Sequence, residues 1–291
     1  MSWLAIVNPA AGRGRTRKLL DELTHAAKDA GASVEVAESE ESFARIASDA
    51  AATGSDLIAC GGDGSVSTVA GIASLSGRRM AVVPTGAGND FARELGYDTK
   101  HPLSALSVLA SGSDRVVDLG RVNGRLYTCV TCSGFDSEAN RWANTVTRLS
   151  GTALYVAAVL RTLAVYKPHP FRITVDGVSH ETRAWFVAVG NGPAYAGGMR
   201  ITPAASMDDG LLDVTVAGAA SKFTFLRTFP KVFKGTHVEH PMVQTFRAAR
   251  VELESLDSSL PIEVYADGER VSPLPAVMEA VPRALTVRVP S

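Results

Sequence analysis

Cysteine is scarce in this chain: Cys60, Cys129 and Cys132 are the three among 291 residues. An odd trio excludes the disulfide framework of a small secreted domain. Cys129 and Cys132 form a C-x-x-C, but no second pair or flanking histidine completes a zinc set. They sit in the strand-like run LYTCVTC, so two core or half-buried thiols are expected. Long hydrophobic runs are missing too. The longest, Ala153 to Val165, is interrupted by Arg161 and falls short of the ~20 residues that span a bilayer. The opening MSWLAIVNPAAGRG has no basic leader and too short an apolar run for a signal peptide. Net charge is nearly absent, 29 basic against 30 acidic residues, so composition does not mark a nucleic-acid binder. The six histidines show no ligand spacing, and there is no internal repeat. A cytoplasmic protein without a nucleic-acid partner is expected.

What is present is ordinary globular material, 46% hydrophobic and 20% charged, long enough for two domains. The charge is unevenly laid out. Residues 1–120 hold 11 basic and 15 acidic residues, whereas 121–291 hold 18 and 15. The second half is therefore the better match for an anionic surface.

The first 120 residues alternate strand and helix patterns. Strands are expected at Leu4–Val7, Ser33–Ala37, Leu57–Cys60 and Met80–Val83, with helices over Arg17–Ala30, Ser42–Thr53, Val66–Ser74 and Asp90–Leu95. This predicts an α/β domain, a parallel sheet with helices on its faces. After Asp118 strands dominate: Arg125–Cys132, Phe171–Val175, Ala184–Val189, Leu212–Val216, Arg250–Glu254, Ile262–Ala266 and Ala284–Val289, with helices at Thr152–Tyr166 and Phe223–Phe233. A β-rich, sandwich-like domain over 121–291 is expected, and a return of the last strand, 284–289, to the first domain is left open.

Three glycine-rich loops follow strands in the first domain: Asn8-Pro9-Ala10-Ala11-Gly12, Gly61-Gly62-Asp63-Gly64-Ser65 and Pro84-Thr85-Gly86-Ala87-Gly88-Asn89-Asp90. Glycine lets backbone amides approach a ligand closely, and amides at a turn or helix start make an anion nest. Ligands of such sheets bind beyond the carboxyl ends of the strands, so the loops should gather on one edge. Three together point to a polyphosphate. None is a Walker A loop, because no Gly-Lys-Ser/Thr follows, and none is the G-x-G-x-x-G of a Rossmann domain.

These loops, with Phe91-Ala92-Arg93 after the third, resemble the motif set of the diacylglycerol kinase catalytic-domain family, which includes bacterial soluble lipid kinases and sphingosine kinases. Later segments match in order: Val117-Asp118-Leu119-Gly120, Gly134-Phe135-Asp136, Gly190-Asn191, Gly197-Gly198, Pro203 through Asp213, Lys234-Gly235-Thr236-His237 and Asp267-Gly268-Glu269. The resemblance covers nearly the whole chain. It implies an NAD kinase/diacylglycerol kinase-like fold and transfer of the γ-phosphoryl group of ATP to the hydroxyl of diacylglycerol or a related lipid. Asn8, Gly12, Gly61, Gly62, Asp63, Gly64, Ser65, Gly86, Ala87, Gly88 and Asn89 would then hold the nucleotide, and Asp63, Asp90 and Asp118 would organise Mg²⁺. Asp267 or Glu269 would be the general base, the choice being open. The Asp209 carboxylate with the backbone carbonyls of Ser206 and Leu211 would form a second, structural cation site. A homodimer is a further implication.

Two positions depart from the family pattern. Ser65 stands for a usual threonine and keeps the hydroxyl; Ala87 stands for another and loses it, worth ~1 kcal/mol of phosphate binding if amides do the rest. NAD kinases share a Gly-Gly-Asp-Gly loop, but a Leu-Gly-Phe-Leu-like stretch is expected where this chain has Gly88–Arg93. A nucleotide- or lipid-binding regulator without catalysis is the remaining alternative. The segment 222–234 interleaves four basic residues with Phe223, Phe225, Phe229 and Phe233. Packing of these phenylalanines into the β domain is the leading expectation, with peripheral contact to an anionic membrane as the alternative.

Overall fold

The computed structural model describes residues 2–143, 145–146, 151–257 and 261–291. Strands β1 (Trp3–Val7), β2 (Ala32–Val36), β3 (Asp56–Gly61) and β4 (Arg79–Pro84) pair in parallel in the order β2-β1-β3-β4. Every residue of β3 is buried, as befits a parallel strand covered on both faces. The first expected helix breaks at Leu19 into α1 (Arg15–Lys18) and α2 (Leu20–Asp29). Helix α3 (Glu40–Ala52) starts from a reciprocal cap in which the Ser39 hydroxyl accepts the Ser42 amide and the Ser42 hydroxyl accepts the Ser39 amide. Helix α4 (Asp63–Ser76) begins one residue past the end of β3, and α5 (Asp90–Glu94) begins after the third glycine-rich loop that follows β4.

A short helix α6 (Val108–Ser111) leads into β5 (Ser113–Val122), a strand the polar start Ser-Asp-Arg conceals. The expected strand Arg125–Cys132 divides into β6 (Arg125–Tyr127) and β7 (Val130–Gly134). The break has a cause: the amides of Thr128, Cys129 and Val130 turn toward the Asp267 carboxylate. Helices α7 (Phe135–Ala143) and α8 (Gly151–Val165) precede the hairpin β8 (His169–Val175) and β9 (Val178–Gly190). Then come β10 (Leu212–Gly218), α9 (Lys222–Thr228), a 3₁₀ turn over Phe229–Lys234, β11 (Val243–Ala248), β12 (Arg250–Ser255), β13 (Glu263–Ala266), β14 (Glu269–Pro273) and β15 (Ala276–Val289). The C-terminal strands enclose an apolar interior that includes Phe171, Ile173, Val187, Leu212 and Leu253. Cys129 and Cys132 are buried thiols.

β15 joins the two halves. Its first part pairs antiparallel with β12, most of its length pairs antiparallel with β5, and Thr286 and Val287 pair in parallel with Arg79 and Met80 of β4. Leu285, Val287 and Val289 are buried in the core that also holds the parallel sheet. Truncation after Arg283 is therefore expected to strip β4 of a neighbour and abolish a single cooperative thermal transition, followed by circular dichroism. Retention of one sharp transition near the full-length midpoint would overturn this dependence.

Candidate functional site

The parallel strands β1, β3 and β4 deliver their loops to the same edge, and the loops meet there. A Cβ on Gly86 would lie 2.4 Å from the Gly62 Cα, so the second and third loops touch backbone to backbone. Gly12, at φ +59°, presents its missing Cβ position 2.3 Å from the Thr85 carbonyl oxygen, which brings the first loop onto the third. Side chains then fix the arrangement. Asn8 donates from Nδ2 to the Ser65 hydroxyl (3.0 Å) while its Oδ1 accepts the Ala10 amide (3.1 Å). The Thr16 and Thr85 hydroxyls bond each other at 2.6 Å. Asn89, at φ +55°, donates from Nδ2 to the Gly86 carbonyl (2.8 Å). The result is a cleft of about 300 Å³ lined by Asn8, Gly12, Arg13, Gly62, Gly64, Ser65, Gly86, Ala87 and Glu269, with Glu40, Phe43 and Thr68 toward α3 and α4. The first-turn amides of α4 open beside it, as an anion requires.

Asp63 and Asp90 stand side by side beneath Gly88 of the third loop, next to the residues that line the cleft. Asp63 accepts the Asn89 amide on Oδ2 and the Asp90 amide on Oδ1, both at 2.8 Å. A Cβ on Gly88 would meet the Oδ2 atoms of both carboxylates, at 2.4 and 3.1 Å. Burial and the neighbouring Asp90 charge raise the Asp63 carboxyl to about 6. Asp90 accepts Arg93 Nη1 on Oδ1 (2.7 Å) and the Gly197 amide on Oδ2 (2.8 Å). Each of these oxygens keeps lone-pair capacity beyond the hydrogen bond it accepts. Mg²⁺ takes one or two carboxylates and keeps several waters, so this crowded, like-charged pair fits it.

The two members of the acidic turn have different surroundings. Asp267 accepts four hydrogen bonds: from the Thr128 amide (2.7 Å) and hydroxyl (2.9 Å) on Oδ2, and from the amides of Cys129 (2.9 Å) and Val130 (3.2 Å) on Oδ1. All its usual lone-pair sites are in use. Glu269 is half-exposed and lines the cleft; its Oε2 pairs with Arg125, and its Oε1 lies 2.5 Å from where a Gly64 Cβ would be. Burial, then the Asp267 charge, pushes the nearby Cys129 thiol well up, so it stays neutral.

Asp118 does not join Asp63 and Asp90. It is buried in β5, where Oδ1 accepts the Arg283 amide (2.6 Å) and Oδ2 the Gly210 amide (2.7 Å). It staples the irregularity of β15 to the loop before β10. At the expected second cation site the Asp209 carboxylate already has partners. Asp209 pairs with Arg247 through Oδ2 and accepts the Leu211 amide on Oδ1 (3.0 Å), and the Ser206 hydroxyl donates to Asp208 (2.6 Å). Arg247, also 3.4 Å from Asp213, supplies a positive charge beside Asp209. Among the described residues no cluster of three His, Cys, Asp or Glu side chains stands at metal-holding spacing. No role is assigned from the sequence to Arg13, Arg93, Arg125 or Glu40: Arg13 adjoins the first loop and Arg93 ends the third motif, whereas no sequence signal marks Glu40 or Arg125.

A glycine-loop anion site on an α/β sheet, faced by an acidic turn from a β-sandwich, defines a phosphotransferase of the NAD kinase/diacylglycerol kinase-like class. Residues 2–122 match the diacylglycerol kinase catalytic domain, and residues 129–289 match the YegS C-terminal NAD kinase beta sandwich-like domain. A Mycobacterium tuberculosis protein named diacylglycerol kinase is 38% identical, covering 98% of this chain and 94% of its own length. A Pseudomonas aeruginosa protein named "Probable lipid kinase YegS-like" is 30% identical, covering 85% and 81%. A crystal structure described as a diacylglycerol kinase from Bacillus anthracis shares the fold at TM-score 0.77 and 24% identity, covering 99% of this chain and 96% of that one. The chain belongs to the diacylglycerol kinase family of lipid kinases.

Two outcomes follow from the loop geometry. Gly86→Ala must push the second and third loops apart, and at least a ~10-fold loss of affinity for a fluorescent ATP analogue is expected; affinity within twofold of wild type would sink the close-packing argument. The raised Asp63 carboxyl makes a second. A group whose folded pKa lies above its unfolded value stabilises below the unfolded value and loses that contribution as pH rises through the folded one, here from about 4 to about 6. In melts without nucleotide or divalent cation, Asp63→Asn should therefore gain stability relative to wild type as pH rises across that window. A pH-independent difference would contradict it.

Proposed function

We propose that this lipid kinase transfers the γ-phosphoryl group of ATP to the hydroxyl of diacylglycerol or a related long-chain alcohol, with Glu269 as the general base. The observation that carries the reading is Glu269 Oε1, turned across the cleft toward Gly64 of the phosphate loop while Oε2 is held by Arg125. An acceptor hydroxyl seated beside Oε1 at the edge of the loop would lose its proton to it as the hydroxyl oxygen attacks phosphorus. Asp267, with four donors already on its carboxylate, has no such capacity and holds the turn in position instead.

The amides of Gly62 through Ser65 and of Ala87 and Gly88 would cradle the phosphates, those of Gly86 and Asn89 being held by the Gly61 carbonyl and the Asp63 carboxylate, and Arg13, lining the same cleft, would add positive charge. Asp63 and Asp90 would hold Mg²⁺, which when bound offsets the phosphate charge. Arg93 keeps Asp90 oriented and also donates to the Gly88 carbonyl (2.8 Å). Phosphoryl transfer passes through a loose transition state, so positioning and electrostatics suffice and no covalent protein intermediate is needed. Ala87 leaves phosphate recognition on that loop to its amides.

The test uses γ-labelled ATP, Mg²⁺ and dispersed diacylglycerol, monoacylglycerol, ceramide, sphingosine and phosphatidylglycerol, with NAD in parallel. A labelled lipid supports the reading and names the acceptor; label in NADP overturns it. Glu269→Gln is expected to lower kcat by ~10²–10⁴-fold with nucleotide affinity and melting temperature unchanged. Asp267→Asn turns an NH₂ group onto backbone donors and should lower the melting temperature. Near-normal kcat in Glu269→Gln would remove the base from that position.

A further inference from the structure

Segments 151–168 and 219–238 contain no Asp or Glu, but carry Arg161, Lys167, Lys222, Arg227, Lys231 and Lys234. In the fold the two come together. Lys222 Nζ donates to the Ala164 carbonyl at the end of α8 (2.6 Å), and Tyr166 and Phe225 both pack edge-on against Phe135. Helix α9 has two apolar faces. Phe225 and Thr228 are buried against the aromatic cluster of Phe135 and Trp185, whereas Phe223 and Leu226, three apart on another face, point out. The exposed apolar side chains are Val165 (74%), Phe223 (73%), Phe233 (53%), Leu160 (52%) and Leu226 (41%). Five of the nine large exposed hydrophobics among the described residues thus lie on these two adjoining segments, whose own charged side chains are all cationic.

This face is continuous with the site. The Arg200 amide donates to the Val232 carbonyl (3.0 Å) within the 3₁₀ turn, and three residues earlier the Gly197 amide donates to Asp90 (2.8 Å). We propose that the surface formed by the end of α8, α9 and the Phe229–Lys234 turn docks the enzyme on an anionic bilayer. Separate apolar tips ringed by lysine and arginine suit insertion between headgroups, with the cations over lipid phosphates. The inference rests on the assignment of the chain as a lipid kinase, for which it gives a geometric reason: an acceptor whose chains remain in the bilayer must meet the enzyme at a surface adjoining Asp90.

The full-length chain would be tested by co-sedimentation with phosphatidylcholine vesicles, with and without phosphatidylglycerol, at low and high salt. Binding is expected only with phosphatidylglycerol and should weaken with salt. Lys231→Glu combined with Lys234→Glu should reduce partitioning by at least the ~5-fold per cation that a surface-bound lysine contributes. Phe223→Ser with Phe233→Ser should reduce it ~10-fold or more. Phosphorylation of a monomeric short-chain diacylglycerol should be unchanged in both pairs, which shows the variants folded and the site intact. No preference for anionic vesicles, unchanged partitioning of both pairs, or a concentration-dependent dimer that both pairs dissolve would each overturn the proposal. Vesicle binding by a chain that phosphorylates no lipid would uphold the docking face while removing the kinase reading.

Discussion

Adjacent strands of a parallel sheet run ~4.8 Å apart, and loops leaving their ends must either splay or touch. Here they touch, because nothing but hydrogen separates Gly62 from Gly86. That contact turns the amides of two successive loops toward one volume and leaves the first loop to close it through Gly12, Asn8 and Thr16. Every other feature of the cleft takes its position from this meeting of bare backbones. The α4 amides point where they do because β3 ends at the contact, and Asp63 reaches Asn89 and Asp90 because the third loop lies against the second.

Aspartate serves this protein first as a backbone staple. Asp63, Asp118 and Asp267 each accept amides from another segment, and each ties together loops far apart in sequence. Buried amides need acceptors, and an ionised carboxylate is a strong one. Burial, reinforced by the neighbouring carboxylates, keeps the Cys129 thiol neutral and raises the Asp63 carboxyl to about 6. Structural and chemical duties thereby separate along the acidic turn, with Asp267 holding the backbone while Glu269 keeps an oxygen facing the cleft.

The sequence made the glycine loops legible because their signal is local: an apolar run, then glycine, then a helix start. The parallel sheet and the two-part architecture followed from the same alternation. What it concealed depends on distant partners. Asp118 is an orphan in sequence, yet its acceptors serve an amide 165 residues away, and Asp267 binds amides 137 to 139 residues away. Arg247 was invisible as the counter-charge of Asp209 for the same reason. The aromatic segment divides between two readings: Phe225 packs inward and Phe229 is partly covered, while Phe223 and Phe233 stay exposed, a distinction of helical phase that composition cannot express. Strand β5 escaped because its charged start hides a buried end, and β14 because it is a short polar edge.

One strand, β15, carries ladder hydrogen bonds to both halves of the molecule. Mechanically it behaves as a torsion bar. Two lobes joined by a flexible linker can swing like jaws, but lobes welded along a shared strand can change their angle only by twisting that strand or breaking its ladder. Any change in the gap between the phosphate loops and the acidic turn must therefore fall at the irregularity of β15 between Val281 and Leu285. Water must be excluded by what enters the gap, nucleotide on one side and acceptor on the other, and selection among acceptors becomes a matter of reach across it.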